Sequence, residues 1–467
     1  MGSNSRADGP ADLLVSLDRG EPRRLRAQLE HALRDGIQSG RFPSGMALPP
    51  SRVLASEISV ARSVVVGAYE QLIAEGYLQA RQGAATTVVP RAASDGCAGG
   101  RRNGGVLGAR NLSGVPDLAL FPRLQWLRHY RAVLSQAPDA VFGYPDTQGV
   151  EELRRALSGY LGRVRSVQAT PSDIVICSGF SHGLAMVCRA LRRRGAVRLA
   201  VEDPCFGLHR RVIRAAGLEP VPVAVDEEGI DVARLSTLAV DGVVLSPAHS
   251  YPTGAVLGPG RRVELVAWAR QHDGLIIEDD YDAEFRYDRL PVGALQGLAP
   301  QQIIYGGSAS KMLSPALRLG WLAVPRHLID DVVRAKFDYD ITTEALGQLT
   351  LARFIDSGDL TTHLRRVRPR YRDRRDRLIT ALAQQMPEAT PMGIEAGLHL
   401  YLRLPSHIDE DELVRRASVL GLLAEGARVH WADQAAAPPA LLIGYSALHA
   451  TEIERTATIL GQLTHTP

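Results

Sequence analysis

The stretch IIYGGSASKMLSPALRLGW, residues 303–321, decides how the chain reads. Ile303, Ile304 and Tyr305 form a short apolar run before a glycine pair, the pattern of a buried strand. Just beyond it stand Ser308, Ser310 and Lys311. Of the 54 basic residues only Lys311 and Lys336 are lysines. A bias toward arginine carries no function by itself. A lysine kept against it, however, suits chemistry that a guanidinium cannot perform, such as forming a Schiff base.

Working outward, strands are expected at 174–177, 199–202, 243–245, 275–278, 303–305 and 321–324. Amphipathic helices at 150–161, 184–193 and 262–271 alternate with them. Such alternation predicts an α/β domain with a mostly parallel, doubly wound sheet over residues 110–355. Beyond it, long helices and short strands at 398–404 and 441–445 predict a smaller α+β subdomain over 356–467.

Ligands of open α/β sheets bind beyond the carboxyl ends of the strands. Those ends carry Ser178-Gly179-Phe180-Ser181 before a helix, then Asp203-Pro204-Cys205-Phe206, the segment SPAHSYPTG with Tyr251, Asp279-Asp280-Tyr281, and Ser308 to Lys311. A single acidic strand end is usually a cap, and a single lysine usually a solvated charge. Five such ends in one sheet read as a pyridoxal 5'-phosphate pocket. Lys311 supplies the amine, Asp279 a carboxylate for the pyridine nitrogen, Phe206 a ring cover, and Ser308 with Arg318 a phosphate grip.

Residues 19–89 read differently. Leu25, Leu29, Leu33 and Ile37 mark one helix, and Pro43, Gly45, Pro49 and Pro50 break the chain after it. Ser51 is expected to cap a short helix over 52–58. A helix over 61–75 turns Val65, Ala68, Tyr69 and Leu72 inward, and residues 77–78 and 86–89 flank Gly83 as a two-stranded wing. The outline is a winged helix-turn-helix, although any small helical bundle shares part of it. Between Arg19 and Arg81 nine arginines face six acidic residues, a mild excess compatible with phosphate contacts. Residues 90–109, rich in Gly, Ala and Arg, read as a flexible linker.

Composition sets limits. A chain of 467 residues exceeds one ordinary core, and its 45% hydrophobic and 22% charged content is that of a globular protein. No apolar run approaches the roughly 20 residues that span a bilayer, and the polar N-terminus is unlike a signal peptide, so a cytoplasmic protein without membrane contact is expected. The four cysteines lack metal-ligand spacing, so no metal site is expected.

The motifs GYPDTQGVEELRRAL, VICSGFSHGL, VEDPCF, SPAHSYPTG, IEDDYDAEFRY and SASKMLSPALRLGW resemble the fold type I aminotransferases. SGRFPSGMALPPSRVLA and ARSVVVGAYEQLIAEGYL resemble the GntR winged helix. In that order they look like the MocR/GabR family of transcription regulators, with the PdxR-like branch favoured. The resemblance implies a Schiff base of the cofactor on Lys311, a pyridine-nitrogen contact from Asp279 and a phenolic-oxygen contact from Tyr281. It implies phosphate contacts from Ser178, Gly179, Phe180, Ser308, Ser310 and Arg318, stacking by Phe206, and Tyr251 where the family usually places asparagine. On double-stranded DNA it points to Arg52, Arg62, Ser63, Arg81, Gln82 and Gly83. It also implies a homodimer with exchanged DNA-binding domains.

Three departures stand out. Leu442 and Ile443 precede Gly444-Tyr445 where an arginine that grips a substrate carboxylate is expected. A second arginine position holds Leu208, leaving His209 or Arg210 to compensate, and a recognition-helix arginine is replaced by Gly67. Without carboxylate grips an amino acid would be poorly oriented, which argues against a working aminotransferase and for a sensor with at most a residual half-reaction. Pyridoxal phosphate itself is the expected effector, implying control of vitamin B6 metabolism. An amine or amino acid that displaces Lys311 is the alternative.

Overall fold

The chain divides into two compact units, residues 1–104 and 105–467. The computed structural model describes residues 17, 25–80, 85–89, 113–287, 292–422 and 424–465. The expected linker at 90–109 and the expected DNA contacts Arg81, Gln82 and Gly83 lie outside them.

In the first unit the apolar spacing produces three helices, α1 (Leu25–Gln38), α2 (Ser51–Glu57) and α3 (Arg62–Ala74). Strands β1 (Leu78–Gln79) and β2 (Thr87–Val88) pair antiparallel behind them. Leu29, Leu33, Leu54, Val65, Leu72, Leu78 and Val88 share one buried cluster. The buried Tyr69 hydroxyl donates to the Pro49 carbonyl at 2.9 Å, pinning the segment before α2. Ser59 adopts φ 53 in the tight turn between α2 and α3. One expectation is corrected. Ser51 is the first residue of α2 and makes no cap hydrogen bond, because Pro50, extended at φ −54 and ψ 142, holds the cap position. The Ser51 hydroxyl instead accepts from Arg62 Nε at 3.3 Å.

The second unit is built on eight strands: β3 (Ile174–Cys177), β4 (Arg198–Asp203), β5 (Glu219–Asp226), β6 (Gly229–Ile230), β7 (Gly242–Leu245), β8 (Leu275–Asp279), β9 (Ile303–Ser308) and β10 (Gly320–Ala323). Their order is β3-β10-β9-β8-β7-β4-β5-β6. β5, β4, β7, β8 and β9 run parallel, while β10 is antiparallel to both β9 and β3. Every residue of β7 and β8 is buried, as expected for parallel strands covered on both faces. Val243, Ile276 and Ile303 pack on one side with Trp268; Val244, Ile277 and Ile304 pack on the other with Leu184 and Val187.

A second sheet joins β11 (Thr390–Met392), β12 (His399–Arg403), β13 (Glu425–Gly426) and β14 (Ala440–Gly444) in the order β11-β12-β14-β13. The helix Asp359–Gln385 precedes it. Among the described residues no helix is long and apolar enough to cross a membrane.

Candidate functional site

Parallel alignment brings the carboxyl ends of β4, β7, β8 and β9 to one side of the sheet. A cavity of about 370 Å³ opens there. Ten of the expected residues line it: Gly179, Phe180, Phe206, Tyr251, Asp279, Tyr281, Ser308, Ser310, Lys311 and Arg318. Ser178 does not, and its backbone N–H is taken by His182 Nδ1 at 3.0 Å.

Asp279 ends β8 and is buried. Its Oδ2 lies 3.3 Å from His209 Nε2, while its Oδ1 has no hydrogen-bond partner among the described residues. Burial pushes its pKa above the usual carboxylate range, against the lowering pull of His209. An orphaned carboxylate oxygen facing a cavity is costly unless a ligand donor meets it. A protonated pyridine nitrogen is such a donor. Across the cavity, burial lowers the pKa of Lys311, opposed by Asp282, Asp279 and Glu425, so its amine is more readily neutral than a solvated one.

The turn after β3 is shaped for close approach. Gly179 adopts φ 102 and ψ 165, a region essentially reserved for glycine, directly before the helix Phe180–Arg193. Gly320 packs so tightly on it that an added Cβ would sit 2.7 Å from Gly179 Cα. The Arg318 guanidinium lies over the same turn, 3.6 Å from where a Gly179 Cβ would be. A helix N-terminus, a bare backbone cradle and an arginine together are shaped to suit a phosphate. These features fit pyridoxal phosphate. Gly179→Ala is expected to cost about 1–3 kcal/mol through backbone strain, read as a lowered urea midpoint.

Other contacts carry no short-range sequence signal. Tyr281 hydroxyl and Asp282 Oδ2 each lie 2.9 Å from His249 Nδ1, tying the phenol to a buried His–Asp pair. His399 packs on His249, with ring centroids 5.7 Å apart. Burial, then the neighbouring His249, pushes the His399 pKa down to about 4. The unfolded imidazole therefore takes up a proton first as pH falls. Stability present above pH 6.5 is lost on descent to pH 4, about 3 kcal/mol in all. Buried Glu202, pushed up to about 8, acts in the opposite sense, gaining stability on acidification. Comparing wild type with His399→Gln by urea unfolding across that range should isolate the histidine, whose loss should flatten the acid-side fall.

Arg210 does not compensate for the missing arginines. It donates to the His430 carbonyl at 2.9 Å and to Cys205 Sγ at 3.1 Å and does not line the cavity. His209 is committed to Asp279. His209 and Ser181, both named from sequence, also line the cavity, as do Ser113, Gly114, Val115 and Glu425, which were not expected from sequence.

In the first unit Arg52, Arg62 and Ser63 are exposed at the starts of α2 and α3. Gly67 is buried beneath Arg26 of α1, whose guanidinium would lie 3.1 Å from an added Cβ.

The bacterial gntR regulatory-protein family matches residues 25–88, and the class I and II aminotransferase family matches residues 124–460. The chain is 31% identical to the HTH-type pyridoxine biosynthesis transcriptional regulator PdxR of Corynebacterium glutamicum, over 84% of this chain and 86% of that protein. It is 28% identical to the probable rhizopine catabolism regulatory protein MocR of Rhizobium meliloti, over 88% and 87%. Among solved structures, the kynurenine aminotransferase of Pyrococcus horikoshii superposes with TM-score 0.69 at 24% identity, covering 75% of this chain and 89% of that one. At that identity the likeness shows the fold.

Proposed function

The chain belongs to the class I and II aminotransferase family and carries a gntR-family regulatory domain ahead of it, and from that premise we propose a DNA-binding transcription regulator that holds pyridoxal phosphate at Lys311 and responds to that cofactor as its effector. Lys311 is the attachment point, Asp279 meets the pyridine nitrogen and Tyr281 the phenolic oxygen. Ser308, Ser310, Arg318 and the Gly179–Phe180 turn hold the phosphate, Phe206 covers the ring, and Tyr251 closes the side. When bound, the cofactor supplies an electrophilic aldehyde and an electron-withdrawing ring.

The observation that carries this reading is an asymmetry in one cavity. The cofactor side has a phosphate cradle, an unmet carboxylate oxygen and a low-pKa lysine. At the positions for a substrate carboxylate grip stand Leu442 and Leu208. Such a pocket suits a sensor of the cofactor better than a transaminase of amino acids. The relative from C. glutamicum is itself named as a pyridoxine biosynthesis regulator.

Double-stranded DNA is contacted through Arg52, Arg62 and Ser63 and the wing at Arg81, Gln82 and Gly83, in a homodimer. Cofactor capture shifts the balance between two arrangements of the DNA-binding domains. Footprinting on the protein's own promoter with and without pyridoxal phosphate tests the reading. Different occupancy is expected, and identical footprints would overturn the cofactor as effector.

A further inference from the structure

The second sheet reaches the cavity through one strand, β13, whose neighbour β14 is buried behind it. Glu425 of β13 sits directly across from Leu442 of β14 in the antiparallel register. Leu442 is fully buried and, with Ile443, stands where the family resemblance leads to an expected carboxylate-gripping arginine, and Glu425 lines the same cavity as Lys311. An expected cation is thus absent on one strand, and an anion faces the cavity from its neighbour.

The Glu425 carboxylate is held in place. Its Oε2 accepts from the Ser113 hydroxyl at 2.5 Å, and its Oε1 lies 3.2 Å from His430 Nε2. Ser113 Oγ in turn lies 2.9 Å from the Tyr251 hydroxyl. Burial raises the Glu425 pKa, but the contacts from His430 and Ser113 outweigh it and leave the group below the usual range. It is therefore an anion at neutral pH. Two lone-pair directions of a carboxylate remain for a ligand after these two contacts.

Two aromatic rings complete the environment. Phe206 and Tyr251 meet edge to face, with centroids 5.5 Å apart and planes at 83°, and both line the cavity. Phe206 covers the cofactor ring, which leaves Tyr251 beside the Glu425 carboxylate. Ring faces attract ammonium groups and give a carboxylate nothing. Of the nearby cationic side chains, Arg210 is engaged with the His430 carbonyl and Arg318 lies over Gly179. A ligand carboxylate entering beside Lys311 would meet Glu425, and among the described residues no arginine beyond Arg318 lines the cavity to offset it.

We propose that this subsite recognises a ligand ammonium, so that the pocket admits small diamines and turns away amino acids of the same length. The inference deepens the sensor reading and rests on it. A cofactor sensor that rejects carboxylates is shielded from the amino acids that would otherwise compete at Lys311, and the one class of small amine it admits is dicationic.

Full-length protein, with and without pyridoxal phosphate, would be titrated calorimetrically with 1,4-diaminobutane and with 4-aminobutyrate, which differ at one end group. The diamine is expected to bind at least about tenfold more tightly, as one charge-assisted contact allows. Glu425→Gln should bring the two affinities together, with thermal unfolding reporting that the variant is folded. Leu442→Arg should shift preference toward 4-aminobutyrate. Equal affinities in the wild type, a preference for 4-aminobutyrate, or a preference that survives Glu425→Gln would overturn the proposal. Colour with pyridoxal phosphate reports Lys311 separately. A colourless protein that still prefers the diamine defeats the cofactor reading and keeps the subsite, whereas a coloured protein without preference defeats the subsite alone.

Discussion

Lys311→Ala is expected to stay colourless with pyridoxal phosphate, to yield no borohydride-trapped adduct, and to lose any cofactor-dependent change in promoter occupancy. The loss should be complete rather than partial. Lys336 is the only other lysine in the sequence. It is fully buried in the helix Ile329–Asp340, its Nζ 2.9 Å from Asp340, and does not line the cavity. No other side-chain amine can therefore substitute. Burial lowers the Lys311 pKa, so reaction near neutral pH is expected to be faster than for a solvated lysine, because more of the amine is unprotonated. Mass spectrometry of the reduced protein decides the matter, and an adduct persisting in the alanine variant would refute the assignment.

Arg165→Met should produce the largest loss of stability, about 3–5 kcal/mol, the range for breaking a buried ion pair from one side. Arg165 grips Asp280 with two hydrogen bonds of 2.7 and 3.0 Å, and the side chains are 2% and 1% exposed. The Tyr305 hydroxyl also donates to Asp280 at 2.7 Å, and Arg165 donates to the Val292 carbonyl at 2.6 Å. Glu278 and Glu284 are buried close by, each raised to about 7 by burial and then by Asp280. Without the guanidinium three carboxylates share one dry region. The variant should lose less at pH 5 than at pH 8, because protonation relieves the uncompensated charge. Adding Asp280→Leu should recover part of the deficit, which urea unfolding of the double variant would show. Since Asp280 follows Asp279, the pair also fixes the strand end that aims Asp279 at the cavity, and cofactor affinity should fall with stability.

The sequence was most legible where burial imposes a period. Each of the six expected strands of the large sheet is present, because short β-branched runs such as Val243-Val244-Leu245, too brief for a helix, suit a doubly covered sheet. The chemistry at their ends was legible for the same reason: strand ends place residues regardless of loop detail. β5 was missed because Pro220 and Pro222 speak against a strand. They are tolerated because β6 pairs with β5 only at Val225 and Asp226, leaving the edge beside the prolines without a strand partner among the described residues. The antiparallel course of β10 follows from connection length. The segment between β9 and β10 holds only the short helix Ala309–Met312 and the 3-10 turn Pro315–Leu317, too little for a parallel crossover. Glu425 was invisible because its meaning depends on Leu442, which is its neighbour in space and not in sequence. The Ser51 cap failed on a local competition that Pro50 wins.

The backbone contact between Gly179 and Gly320 has a consequence for how such a molecule can diversify. The turn after β3 and the start of β10, where Gly320 pairs with Ser308 at the end of the strand leading to Lys311, are joined without a side chain between them, so neither can drift alone. Ser113 and Glu425 reach the cavity from separate segments with no such lock. Natural variation is therefore free to rewrite which small molecule is admitted while inheriting the vitamin-binding half unchanged.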